Sequence, residues 1–200
     1  MFIADAPAID FLNSVAVPVD TQVEWLAGGD DFVDWLRQAK LVDDAALSGI
    51  RASAGPGELD AVAAQARALR EWFRAFVRSH MGAPLTRNVL RALEPLNRLL
   101  SRGEVFGQIV LRDAVGDGEP ALEFVTEHRW RSPETLLLPI AKTMADLLTS
   151  ADFRQVKACE GPACTLLFLD TTRGQRRRWC NMAVCGNRAK QAAYRERVAK

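Results

Sequence analysis

"CEGPACTLLFLDTTRGQRRRWCNMAVC", residues 159–185, holds all four cysteines of a 200-residue chain. Cys159, Cys164, Cys180 and Cys185 follow the spacing C-x4-C-x15-C-x4-C, two close pairs separated by a loop. Each pair can grip one side of a tetrahedral zinc ion. Gly161 and Pro162 suit the tight turn that a chelating knuckle needs. Between the pairs, "TLLFLD" reads as a short apolar strand and "TTRGQ" turns the chain back. "RRRWC" is then expected to pair with that strand as a hairpin. After Cys185, "GNRAKQAAYRERVAK" is a good helix former, which puts the last cysteine at a helix N-terminus whose dipole favours thiolate.

Knuckle, hairpin and helix make a treble-clef-like module around one structural zinc, closed by its four protein ligands. So short a segment buries too little apolar surface to fold securely alone, whereas a structural zinc supplies about 10–16 kcal/mol. Two disulfides, unliganded buried thiols or a catalytic thiol would use the same residues. A reducing compartment argues against the first, and the clustering in pairs argues against the second. Neither His80 nor His128 lies near the cysteines in sequence to serve the third.

Working outward, the formal net charge of +1 hides an uneven split. Residues 1–150 carry 15 Lys and Arg against 21 Asp and Glu, a net of −6, while residues 151–200 carry 11 against 4, a net of +7. Two domains are expected, 1–150 acidic and 151–200 basic. Zinc with four thiolates has a formal charge of −2, so about +5 remains that the metal does not need. Arg173, Arg176, Arg177 and Arg178 lie on or beside the expected hairpin. On the following helix Arg188 and Arg195 share one face, and Lys190 and Arg197 another, near Tyr194. Arginine clamps phosphate bidentately, so a nucleic acid is the natural partner of this surface. Trp179 is expected to pack in the module's small core more than to stack on a base.

The first 150 residues read as mostly helical with one β-hairpin, making the chain α+β. "GDDFVDWLRQAKLV" offers Asp30 or Asp31 as an N-cap. In residues 55–80, Leu59, Val62, Ala66, Leu69, Phe73, Phe76 and Val77 keep the 3.6 period, and Gly82 ends the helix. Residues 84–103 predict another helix, bent or split at Pro95. Two apolar-rich runs around "GDGEP" (116–120) predict the hairpin. "SPETLLLPIAKTMADLLTS" predicts a helix with Ser132 as N-cap, Pro133 at its first position and a kink at Pro139. The start lacks the pattern of a signal peptide and no run of 18 apolar residues exists, so a cytoplasmic chain with no membrane span is expected.

With "WCNMAVCGNRAK" in place, residues 150–198 resemble the CGNR zinc finger, named for the tetrad Cys185-Gly186-Asn187-Arg188. Both cysteine pairs, Phe168 and Asp170 of "FLD", "RRRWC" and the basic helix carry the match. Upstream, "DFLNSV" (10–15), a Trp-containing helix and "LLTS" resemble the ABATE domain that normally precedes this finger. The resemblance implies a stress-induced transcription regulator, with an RNA-binding role also suggested for such proteins.

The expected function is therefore a zinc-dependent nucleic-acid-binding protein, with DNA favoured over RNA. Arginines would neutralise phosphates and the last helix would enter a groove, with Asn187 and Arg188 at its start. Asn187 is expected to cap the helix or the knuckle, and Arg188 either to reach a base edge or to pair with Asp170. One small finger offers limited contact area, so a homodimer would help. The acidic part would supply that interface or bind a small effector. Many treble-clef-like fingers bind proteins instead, which is the competing reading. No enzyme is expected. "GDGEP" lacks the length and the Lys-Ser/Thr of a phosphate loop, the two histidines share no motif, and Asp10 and Asn13 read as caps or packing residues sooner than as the lining of a pocket.

Overall fold

Pro7 presets the backbone for α1 (Pro7–Leu12), whose first turn needs no N–H from it. The computed structural model describes residues 2–17, 21–112 and 119–198, and it buries this helix almost whole, with Ala8, Ile9, Phe11 and Leu12 inaccessible. A helix with no solvent face must satisfy any acid it carries. Asp10 does so by accepting the backbone N–H groups of Ile3 and Ala4 at 2.9 and 3.0 Å. Burial pushes its carboxyl above the ordinary range, and those two N–H groups pull the other way.

A two-residue ribbon follows, β1 (Val15–Ala16) against β2 (Val23–Glu24). Then come α2 (Gly29–Gln38), α3 (Asp44–Ser53) and the long α4 (Glu58–His80). The cap of α2 is Gly28, not Asp30 or Asp31. Asp31 serves the helix start from inside, its carboxylate accepting the Gly28 N–H at 3.1 Å. On α4 the expected apolar stripe is buried at Val62, Ala66, Phe73, Phe76 and Val77, and the helix stops at Met81 beside Gly82. The same face carries Arg70, 3% exposed. Its guanidinium holds both Glu24 oxygens at 2.7 and 2.6 Å, together with Ser14 Oγ and Glu71. A buried arginine of this kind is tolerable only when its donors are paired.

The expected helix over 84–103 is split. A 3-10 turn (Arg87–Leu93) gives way to α5 (Glu94–Leu100), with Pro95 in the new first turn, where its ring meets no preceding helical carbonyl. β3 (Val105–Arg112) and β4 (Ala121–His128) form the predicted hairpin, antiparallel from Val105↔His128 to Arg112↔Ala121. Residues 116–118 of its expected "GDGEP" turn lie outside the described residues. Ser132 and Pro133 open a 3-10 turn (Pro133–Leu136) that leads into α6 (Leu137–Ser150). Pro139 needs no kink there, because it falls in the first turn of α6, where a missing N–H is free of cost.

The C-terminal part begins with a 3-10 turn (Phe153–Gln155) and the antiparallel pair β5 (Val156–Ala158) and β6 (Leu167–Leu169). It ends with a π turn (Met182–Gly186) running into α7 (Asn187–Val198). The strand partner of "LFL" is thus β5, upstream of the first cysteine, and not "RRRWC". Val156 is buried, so pairing it with Leu169 covers an apolar side chain that an arginine run could not supply. The fold is α+β, a helical N-terminal part with a β-hairpin followed by a small treble-clef-like finger. Phe153, Val156, Leu166, Leu167 and Phe168 belong to the same buried cluster as Ile9, Phe11 and Leu12. α1 is its hub, packed on α4, α6 and β6. Among the described residues no helix is long and apolar enough to cross a membrane.

Candidate metal centre and basic surface

The first knuckle is the loop of the β5–β6 hairpin. Cys159 N–H donates to Leu166 O at 2.9 Å and Cys164 N–H to Gly161 O at 3.0 Å, which folds the loop back on itself. Of the second pair, Cys180 precedes the π turn and Cys185 lies within it, where Asn181 Oδ1 accepts the Ala183 N–H at 2.7 Å. The Cys185 and Gly186 N–H groups donate to Asn181 O at 3.0 and 3.2 Å. Gly186 lets the Met182 side chain lie against the turn, since a Cβ there would sit 2.2 Å from Met182 Sδ. A hydrogen bond from Glu160 N–H to Arg178 O, 3.0 Å, ties the two halves together.

These elements bring the four sulfur atoms within 4.8 Å of one another. Cys164 Sγ lies 3.8 Å from Cys180 Sγ, which lies 3.7 Å from Cys185 Sγ. A tetrahedron with Zn–S bonds of about 2.3 Å has edges of about 3.8 Å, whereas a disulfide would need about 2.05 Å. The Cys180 N–H points at Cys159 Sγ, 3.3 Å away, as a thiolate would require. Burial pushes the Cys164 thiol up to about 12, with the neighbouring Cys159 adding to the rise, and raises Cys180 as well. Four thiolates packed within 4.8 Å repel one another, so they coexist in this nest only around a cation. The cluster fits one structural zinc, which would supply charge neutralisation and a fixed tetrahedral junction between knuckle and helix.

Behind the sulfurs lies a second constellation. Asp170, fully buried, accepts from Lys157 Nζ at 2.7 Å, Thr172 N–H at 3.1 Å, Thr172 Oγ1 at 2.6 Å and Arg177 N–H at 2.9 Å. Burial works to raise its carboxyl, yet these donors outweigh that and hold it at about 2. Arg177, expected on the basic surface, turns inward. Its guanidinium donates to the carbonyls of Trp179, Cys180 and Ile3 and pairs with Asp5. It also lies over the Phe168 ring, 4.4 Å from the centroid.

The finger is held to the N-terminal part by the opening motif. Asn13 Nδ2 donates to Leu167 O at 2.8 Å and Asn13 Oδ1 accepts Leu167 N–H at 3.0 Å, so one side-chain amide extends the β5–β6 ladder. Leu169 N–H reaches Ala4 O at 2.9 Å, and Val17 N–H reaches Thr165 Oγ1 at 2.9 Å. Asn13→Ala leaves a buried N–H and C=O unpaired. It is expected to lower stability by about 2–4 kcal/mol and to speed amide exchange at Leu167. Urea unfolding of the zinc-loaded protein checks this, and a loss under about 1 kcal/mol would contradict the assigned role.

The remaining predicted cations are exposed. Arg173 and Arg176 border the finger, and Arg178 pairs with Glu160 and lies over Trp179 at 5.0 Å. Trp179 is half-buried against the core. Arg188 and Arg195 flank a cleft of about 410 Å³ between α7 and the first knuckle. Lys190 lies with Tyr194 on the neighbouring face, and Arg197 is one turn on. Among the described residues none of Arg173, Arg176, Arg188, Lys190, Arg195 and Arg197 has an acidic partner. Asn187 Nδ2 donates to Ala183 O at 3.2 Å, fastening α7 to the π turn. Arg188 does not reach Asp170, whose partners are Lys157, Thr172 and Arg177. The Lys157 role carried no sequence signal beyond an alternating strand pattern.

Comparison with known families gives two matches. Residues 5–151 match the ABATE family model, described as "Putative stress-induced transcription regulator". Residues 155–198 match the CGNR zinc finger model. No curated protein matches the chain in sequence.

Proposed function

Because the chain belongs to the ABATE family and carries a CGNR zinc finger, we propose that it is a zinc-dependent transcription regulator that binds duplex DNA through the finger. The observation that carries this reading is α7. It packs appreciably on the π turn alone, shows basic side chains along its length, and those cations have no acidic partner among the described residues. A helix anchored at one end, with a run of cations that no acid neutralises, presents a positive surface to a polyanion.

Zinc on Cys159, Cys164, Cys180 and Cys185 fixes the base of α7. Arg173, Arg176, Arg178, Arg188, Lys190, Arg195 and Arg197 neutralise phosphates, while Arg177 serves the fold. The exposed Arg178–Glu160 pair is weak in water and yields readily to phosphate. DNA is favoured over RNA because a projecting helix fits the B-form major groove, and the deep, narrow A-form groove excludes it. The acidic part, residues 1–150, carries the regulatory input in response to stress, and a reducing cytoplasm keeps the thiols available to the metal.

The test is binding of zinc-loaded protein to mixed duplex DNA and RNA across a salt series. The comparison is R176A/R178A/R195A, with zinc content checked. Loss of three phosphate contacts should flatten the log–log salt slope on DNA by about 2.7. An unchanged slope, or no duplex binding by the parent at low salt, refutes the assignment.

A further inference from the structure

The β3–β4 hairpin packs extensively on no other described element. A two-stranded ribbon alone is marginal in water, so its own faces must explain its persistence. Those faces differ. Val105, Ile109, Leu111, Leu122 and Phe124 stand on one side and are 59–77% exposed. Ile109 lies directly opposite Phe124, and Leu111 opposite Leu122, so the apolar side chains are contiguous across both strands. Gly107 leaves space for the Phe124 ring to lie across the strand, since a Cβ there would sit 2.3 Å from Phe124 Cζ.

The opposite side is partly covered. It carries Phe106, Gln108, Val110, Glu123 and Val125, all half-buried, with the Arg112–Glu123 ion pair at 2.7 Å and Glu127 at its margins. Its one aromatic, Phe106, lies under the Arg129 guanidinium at 5.1 Å. One face is partly covered by its own long side chains, and the other stands open with its apolar groups uncovered.

Exposure of this degree on five large side chains amounts to roughly 600 Å², the upper end of the apolar patch a monomer carries. Two such faces stacked together would remove roughly 1,200 Å², the threshold of a stable specific interface. The patch bears no formal charge, so neither a nucleic acid nor a charged peptide is drawn to it. A face with matching apolar composition is complementary to itself about a two-fold axis, and stacked sheets interdigitate side chains of this kind. We propose that this face is a homodimer interface, in which two copies of the chain stack the apolar sides of their β3–β4 hairpins. The inference stands whatever the finger binds.

Sedimentation equilibrium of the zinc-loaded full chain, from micromolar to hundreds of micromolar, tests it. The parent is expected to dimerise. I109D/F124D should weaken the dimer at least about a hundredfold, because a two-fold interface counts each substitution twice. I109T/F124T keeps strand propensity and should also dissociate, which separates loss of the interface from loss of the hairpin. Glu127→Gln, exposed on the opposite side, should leave the dimer intact. A parent that stays monomeric at every concentration overturns the proposal, as does a dimer indifferent to I109D/F124D. A monomer that instead binds neutral phosphatidylcholine vesicles overturns it too and assigns the face to lipid.

Discussion

Cys180→Ser is expected to abolish zinc binding and to unfold the finger, with damage reaching α1. The sulfur nest explains the size of the effect. Cys180 Sγ lies within 3.8 Å of two other sulfurs, so replacing it opens the tetrahedron in the middle. Structural zinc contributes about 10–16 kcal/mol of apparent free energy, far more than the few buried side chains of the finger can replace. Those side chains are not isolated, because Phe153, Leu167 and Phe168 share one core with Ile9 and Phe11. Losing the finger therefore uncovers the N-terminal part as well. Metal analysis should fall from one zinc per chain to none, and amide exchange should accelerate over residues 156–198 and at α1. Stoichiometric zinc with an unchanged thermal transition would falsify the site. Acidification acts in the same direction, since protons compete with the metal for the cysteine sulfurs.

Asp170→Asn should be the most damaging change outside the cysteines, at about 3 kcal/mol. The substitution keeps an acceptor but removes the charge that Lys157 Nζ, Thr172 and the Arg177 N–H converge upon. It also loosens the segment that delivers Arg177 to the carbonyls of Trp179 and Cys180, and hence the second cysteine pair. The pH dependence separates this contribution from that of the metal. Asp170 is held at about 2 in the fold, below its ordinary 3.8, so its stabilisation is present above the unfolded value and vanishes as pH falls through the folded one. It is on the order of 2 kcal/mol and constant from neutral pH down to about 5. The difference between parent and variant in urea unfolding should therefore be flat over that range. Any loss of stability there belongs to the thiolates, and a difference that shrinks between pH 7 and about 5 would show that Asp170 is not held as described.

Much of this was readable from the chain because the signals are local. Cysteine spacing determined the metal centre, since two knuckles with short internal loops have few ways to present four sulfurs. Amphipathic period placed α4 and its buried stripe, and alternation around a turn-forming stretch placed β3 and β4. Pro95 was legible as a break, because its ring forbids a continuous helix through that point. The family assignment followed from the same short motifs.

Other features depend on what comes near in space. Nothing in "RRR" distinguishes its three members, yet Arg177 is enclosed by carbonyls, Asp5 and Phe168 while Arg176 faces solvent. Three neighbours in an irregular segment point in different directions, and only the packed surroundings decide which one is desolvated. The partner of β6 was misassigned for the same reason, since "LFL" needs an apolar neighbour and only the fold puts Val156 beside Leu169. The role of "DFLNSV" likewise required the tertiary structure. Asn13 reads as a cap or packing residue in sequence; it is the C-cap of α1, and its side chain is also a surrogate strand for Leu167, 154 residues away. By itself the sequence determined the long helices, the β3–β4 hairpin and the metal chemistry, because these are set by residues a few positions apart. Tertiary structure alone decided which polar groups serve the fold and which remain free for a partner, because that depends on burial, and burial is a property of the whole chain.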